Sequence, residues 1–267
     1  MVADILAAPR ADEPDPPPPP PPVAGSRPKR RPAAWVAMYH SVSDCRDDPY
    51  NVTVTPARLD RQLAWMARRG LRGVSVRELL AARARGAEGG LVGLTFDDGY
   101  TDFVTTALPV LRRRGFTATV FVLPGRLGGE NAWEPTGPRK PLLDVDGIRS
   151  AVAAGMEVAS HGLTHLDLTR ATDRVLHTEV NDSRHRLAGI IGVGIEGFCY
   201  PYGRLDERVA DAVRRAGYRY ACAIGPGPAG SGDFALPRIH VGEADTAVRL
   251  ELKRRLARCY GRALEAA

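Results

Sequence analysis

The sequence predicts an α/β protein whose parallel sheet curls into a barrel, and three observations predict it. From Ala34 onward short apolar runs alternate with amphipathic helical patterns, so that successive strands are joined through helices and run parallel. About seven or eight such units follow one another, which favours closure over an open sheet. Polar and charged residues stand repeatedly at the ends of the apolar runs, where α/β barrels carry their loops and active sites.

Each element has its own justification. The run "WVAMYH" reads as the first strand. In "TPARLDRQLAWMARRG", Thr55 is an N-cap and Pro56 occupies the first turn. Leu59, Leu63 and Met66 share one side of that helix, and Gly70 ends it. The strand "RGVSV" and a helix through "RELLAAR" come next, then "LVGLTF" with a helix across 102–114, then "TATVFVL". "MEVAS" is followed by a helix over about 172–188, "EGFCYP" by a helix in "DERVADAVRRAG", and "YRYACA" and "LPRIHV" by a last helix from about Ala244. No self-similarity at 20–50 residues suggests a solenoid.

Residues 1–33 stand apart. Proline and charge dominate them, and such a composition cannot offset its ordering entropy by burial. The expectation is a disordered tail, acting as a stiff spacer or a docking strip for a proline-reading partner, ahead of one domain over 34–267. The net charge of +6 is spread along helical segments rather than gathered in a stripe, which argues against nucleic-acid binding. The four cysteines form no CxxC pair, so reduced thiols are expected. No apolar run is long enough to span a bilayer, and the N-terminus lacks the charged and apolar regions of a secretory signal; a cytoplasmic protein is the expectation.

Chemistry concentrates at the strand ends. "LVGLTFDDGY" runs an apolar strand into Asp97 and Asp98. Adjacent carboxylates at the end of a buried strand repel each other and lose hydration, so a cation or a task must compensate. "SHGLTHLDL" places His161 and His165 four apart, a spacing that puts both imidazoles on one side of a helical turn. With a strand-end carboxylate they make a two-histidine, one-carboxylate set, which leaves coordination positions open for water and substrate. Side chains leaving a strand in succession diverge, so one acid can ligate while its neighbour faces the bound water. His40, Tyr202, Arg238 and His240 stand at further strand ends.

"TFDDGY", "SHGLTH" and "YPYG" resemble the first three motifs of the polysaccharide deacetylase family, the NodB-homology enzymes of carbohydrate esterase family 4, over about residues 34–242. The resemblance implies a distorted (β/α)7 barrel that hydrolyses N-acetyl groups of amino sugars with zinc, or with cobalt, nickel or manganese in its place. It makes Asp97 the general base, Asp98, His161 and His165 the metal ligands, and Tyr202 a backbone donor to an oxyanion hole. Many members begin the third motif with an arginine that orients the base. "GFCYPYG" has Phe198 or Cys199 there, and Arg238 is the candidate substitute, set against its reading as a surface arginine beside a proline. The acidic-aromatic fourth motif has only Asp233 and Phe234 near its place. Trp133 either stacks on a sugar ring or caps the barrel mouth. "AMYHSV" resembles the first-strand end of biofilm poly-N-acetylglucosamine deacetylases, in which such a histidine serves as the acid, so His40 and His240 compete for that role and His40 is favoured. His177 and His185 lie on a charged helix and read as solvated.

The expected function is metal-dependent N-deacetylation of an amino-sugar glycan or glycoconjugate. The alternatives are a deacetylase or deformylase of a small or lipid-linked sugar intermediate, and a catalytically silent carbohydrate-binding protein.

Overall fold

Apolar runs that are buried on both faces account for the sheet. β1 (Trp35–Tyr39), β5 (Leu91–Phe96), β6 (Thr119–Val122), β7 (Glu157–Ser160), β8 (Gly197–Cys199) and β9 (Tyr220–Cys222) are buried throughout. The computed structural model describes residues 35–225, 227–228 and 231–255; the expected tail over 1–33 and Cys259 lie outside them. Two short strands, β2 (Ser41–Val42) and β3 (Thr53–Val54), pair with each other beside the barrel mouth. With β10 (Ile239–His240) the parallel order is β10-β1-β5-β6-β7-β8-β9. The two ends meet at Leu236, whose N–H bonds Ala221 O and whose carbonyl accepts from Ala223, while β10 pairs with β1. Seven strands thus close into a ring.

The ring is distorted at β4 (Arg72–Val74). This strand takes the first half of one edge of β5, from Leu91 to Gly93, and β6 takes the second half, at Thr95 and Phe96. Gly73 is required there, because a Cβ would stand 2.4 Å from Leu94 Cδ1 and 2.6 Å from Phe116 Cδ2. Alternate strand residues divide the core. Val36, Phe121, Ala159, Cys199, Cys222 and Leu236 form the inner cluster, while Ala37, Leu94, Phe96, Val120 and Phe198 pack outward with the helices.

Side-chain caps start the helices where the sequence supplies them. Thr55 caps α1 (Pro56–Arg68), Ser75 caps α2 (Val76–Arg83) and Asp206 caps α6 (Glu207–Arg215), and α3 (Leu108–Arg113) follows α2. Thr172 caps α5 (Asp173–Ile191), which ends on Gly192 at φ 74°. Three features differ from the sequence reading. α4 (Val145–Ala153), capped by Asp144, was not anticipated, although "DVDGIRSAVAAG" carries a cap, apolar residues at helical spacing and a closing glycine. The helix expected across 102–114 begins as a π-helical turn over Phe103–Ala107, with Leu108 N–H reaching back to Phe103 O. Pro109 has no N–H to offer the carbonyl four residues earlier, and the wider turn accommodates that loss. The last helix occupies residues 247–255 up to the end of the described residues and starts later than Ala244. Among the described residues no helix is long and apolar enough to cross a membrane.

The lower end of the barrel encloses a carboxylate. Glu157 accepts from Thr119 Oγ1 at 2.6 Å, Tyr220 OH at 2.9 Å and the Arg77 N–H at 3.0 Å. Burial raises its pKa against those donors. A carboxyl whose folded pKa is raised contributes stability that is full below its unfolded pKa, about 4.3, and is lost as pH rises through the folded value. Glu157→Gln keeps the packing and removes that loss. The melting temperature of the variant relative to wild type should therefore climb by a few degrees between about pH 4 and pH 8. A difference that stays constant with pH would show that Glu157 does not titrate in this range.

Candidate active site

The opposite end of the barrel gathers the polar strand ends. Asp97 continues β5, its N–H bonding Tyr39 O at 2.9 Å, and its side chain enters the barrel interior. Asp98 then adopts φ 72°, a left-handed conformation that a non-glycine residue takes only at a cost. That turn sends the second carboxylate away from the first and toward the mouth.

There Asp98 Oδ1 lies 3.3 Å from His161 Nε2 and 3.3 Å from His165 Nε2, and all three residues are buried. His161 Nδ1 is 2.9 Å from Cys199 O; a proton on Nδ1 satisfies that carbonyl and leaves Nε2 with its lone pair free. The histidine pair does not sit on a helical turn, as the spacing suggested. Residues 161–167 form a loop, and His165 has φ 70°. Glu179 of α5 holds this loop. It accepts the N–H groups of Leu163 at 2.7 Å and Thr164 at 3.0 Å and bonds the Thr164 hydroxyl. Gly125 lets the neighbouring loop approach, its N–H 2.9 Å from Leu163 O, at a place where a Cβ would stand 2.5 Å from that oxygen.

Asp97 has a different partner. Arg238 meets it with two parallel bonds, Nη1 to Oδ1 at 2.6 Å and Nη2 to Oδ2 at 2.8 Å. The guanidinium also bonds Ala223 O at 3.1 Å, Thr95 Oγ1 at 3.0 Å and Cys199 Sγ at 3.0 Å. With its side chain 1% exposed, Arg238 is not a surface arginine. Burial works against ionised Asp97, yet Arg238 outweighs it and holds the carboxyl below the usual range. Cys199, rather than Phe198, is the third-motif residue that faces the site, because Phe198 packs outward.

Among the described residues, two clusters place donors close enough for a cation, Asp98 with His161 and His165, and Asp97 with His161 and Cys199. The second does not suit one: Arg238 already occupies both oxygens of Asp97, and burial pushes the Cys199 thiol up to about 11. The first fits. Asp98 Oδ1 is buried without any hydrogen-bond partner although two imidazole nitrogens point at it. Its distance of 3.3 Å from each is about the separation of two ligands bound at ~2.0–2.1 Å around a tetrahedral ion.

The remaining residues surround these clusters. His40 Nε2 is 3.9 Å from Asp97 Oδ2, and burial lowers the pKa of His40 against the pull of both carboxylates. The His240 ring lies 6.3 Å from that of His40, with its Nε2 2.9 Å from Asn51 O. Trp133 stacks on His165 at 4.4 Å and 17°, and Tyr202 meets the same imidazole edge-on at 4.5 Å. Tyr202 has φ 59°, and its N–H makes no hydrogen bond among the described residues. Sequence reasoning missed the residues that place Trp133. Asn131 donates to Glu134 Oε2 at 2.6 Å and accepts the Lys140 N–H at 2.8 Å, and Lys140 Nζ bonds Ser41 Oγ at 2.8 Å. Asp233 and Phe234 do not join the site, since they lie against Arg83 and Arg214. His177 and His185 are exposed on α5.

A parallel barrel with a two-histidine, one-carboxylate cluster beside an arginine-held carboxylate at its C-terminal face defines a hydrolase-type site. The profile of the family described as Polysaccharide deacetylase matches residues 84–221, more than half of the chain. The chain belongs to this family, within carbohydrate esterase family 4. It is 27% identical over 210 residues to YxkH of Bacillus subtilis (strain 168), covering 77% of this chain and 70% of that protein. It is 22% identical over 208 residues to a poly-beta-1,6-N-acetyl-D-glucosamine N-deacetylase of Staphylococcus aureus (strain MSSA476), covering 72% and 69%. Among solved structures, Streptococcus pyogenes deacetylase PplD, in complex with acetate, superposes with a TM-score of 0.70 at 24% identity over 84% of this chain and 99% of that one. IcaB from Ammonifex degensii gives 0.70 at 23% over 84% and 97%. These similarities establish the distorted barrel expected from the sequence.

Proposed function

We propose that the protein removes N-acetyl groups from amino sugars in a glycan, with one divalent ion, zinc first among the candidates, held by Asp98, His161 and His165. The observation that carries this reading is the division of labour between adjacent carboxylates: Arg238 clamps Asp97, while Asp98 Oδ1 lacks a partner between two imidazoles. Sugar binding alone requires no such pair. The amino-sugar polymer named for the Staphylococcus aureus relative supports the substrate class.

When bound, the ion supplies polarisation of the amide carbonyl and acidification of water. Asp97, kept ionised by Arg238, takes the proton of the attacking water. The Tyr202 N–H donates to the oxygen on which negative charge develops. Arg238 acts through Asp97 and is a positioning residue. His40 delivers a proton to the departing amine, which is otherwise a very poor leaving group. His40 is the better placed of the two histidines, because His240 already engages Asn51 O.

Incubation of metal-loaded protein with N-acetylglucosamine oligosaccharides, read as acetate release, tests the reading. His40→Ala should lower kcat by about 10²–10⁴ on an amide and by less on an activated aryl ester, whose leaving group requires no proton. His240→Ala should have the smaller effect on both. A leaving-group dependence confined to the His240 variant would exchange the two roles.

A further inference from the structure

We propose that Lys140 is a positioning residue for the reaction: its buried ammonium ties together loops at the barrel mouth and fixes the backbone that carries His40. This rests on the deacetylase reading above, with His40 as the acid. The ammonium bonds Ser41 Oγ at 2.8 Å and Thr53 Oγ1 at 2.5 Å, across the pair that joins β2 to β3, and lies 5.7 Å from the centre of the Tyr100 ring. Its hydrogen-bond partners are thus hydroxyls rather than a carboxylate, although the residue is only 8% exposed. A buried cation without a directly paired carboxylate costs stability, and an apolar side chain of similar length would fill the space at lower cost. Packing alone does not account for a lysine there.

The bonds of this one residue reach three segments of the mouth. Ser41 gives its single hydroxyl proton to Asp102 Oδ2 at 2.5 Å, so its lone pairs face the ammonium. Asp102 stands four residues after Asp98, and its other oxygen, Oδ1, is buried without a hydrogen bond. Ser41 therefore links the cation to a carboxylate on the segment that follows the acid pair. The Lys140 N–H bonds Asn131 Oδ1 at 2.8 Å, at the start of the turn that carries Trp133.

His40 depends on this frame because its ring has no anchor of its own. Its Nδ1 is buried without a hydrogen-bond partner, and its Nε2 is 3.9 Å from Asp97 Oδ2, beyond hydrogen-bond reach. His161, by contrast, is held through Nδ1 by Cys199 O at 2.9 Å. The His40 imidazole is therefore placed by packing and by the backbone on its two sides. Tyr39, before it, is fixed in the sheet, where its carbonyl accepts the Asp97 N–H at 2.9 Å. Ser41, after it, is fixed through its N–H by Val52 O at 3.0 Å and through its hydroxyl by Lys140 and Asp102. Loss of the ammonium loosens the second side, and a misplacement of about 1 Å can cost about 10²-fold in rate.

Acetate release from N-acetylglucosamine oligosaccharides and from an activated aryl acetate, measured for wild type, Lys140→Met, His40→Ala and the double variant, tests the assignment. Methionine keeps most of the stem and removes the charge. In Lys140→Met, kcat on the amide should fall by about ten- to a hundredfold and kcat on the ester by less than about threefold, since the ester's leaving group needs no proton. A structural defect alone lowers both rates alike, so the amide-to-ester ratio separates positioning from folding. In the His40→Ala background the same substitution should change the amide rate by less than about twofold, because the group that it positions is gone. Ser41→Ala breaks the same link from its other side and should show the same amide-selective loss, which keeps the test decisive if Lys140→Met does not fold. Equal losses on amide and ester in folded protein, or an undiminished effect in the His40→Ala background, overturns the positioning role and leaves the deacetylase reading intact. No acetate from any oligosaccharide with wild type overturns that reading and the positioning role with it.

Discussion

Asp97→Asn is expected to lose turnover on an amide by about 10²–10⁴ while still binding its metal ion. The asparagine cannot accept a proton from water, whereas Asp98, His161 and His165 keep their positions. The substitution also touches the clamp. An amide NH₂ facing Arg238 cannot accept from it, so a buried cation loses half of a two-pronged bond, and the melting temperature should fall as well. Loss of turnover in protein that remains folded at the assay temperature is the result to look for. Full activity in this variant would remove Asp97 from the role of base.

Arg238→Met should be at least as damaging, and mainly through stability. It leaves the Asp97 carboxylate buried and unpaired, and breaking a buried pair from one side costs about 3–5 kcal/mol. The orphaned group escapes part of that cost by taking a proton, which disables it as a base. The double variant Asp97→Asn, Arg238→Met separates structure from positioning. Neutral groups of similar size now face each other, so much of the lost stability should return while turnover stays lost. A double variant whose stability loss equals the sum of the two single losses would mean that the pair is not coupled.

Much of the site was legible because its residues sit where apolar runs stop. Asp97 and His161 follow buried strands directly, Asp98 comes next after Asp97 and Tyr202 stands three residues past β8, and the alternation of strands and helices carries those ends to one face of the barrel. The path by which His161 and His165 meet was not legible. A spacing of four suggested a helical turn, whereas the imidazoles are brought together by a left-handed His165 and by Glu179 from a helix that follows later. Nothing local in "LHTEVND" marks Glu179 for that task. The clamp on Asp97 joins residues 141 positions apart, so Arg238 could be nominated only by its place at a strand, and its burial emerges only when β10 closes on β1. The contact between Trp133 and His165 is of the same kind, because the loop that carries the tryptophan is fixed by Asn131 and Lys140 through bonds that no periodicity announces. α4 was missed for a simpler reason: its cap and apolar spacing are present but follow a long loop rich in glycine and proline.

The most direct measurement of the central claim is zinc stoichiometry on metal-free protein, by titration calorimetry and elemental analysis, for wild type, His165→Ala and Asp97→Asn side by side. One ion per chain is predicted for wild type and for Asp97→Asn, with binding weakened by at least about tenfold in His165→Ala, which removes a ligand from the cluster. Equal binding in wild type and His165→Ala, or a loss confined to Asp97→Asn, would contradict the division of the two carboxylates between metal and base.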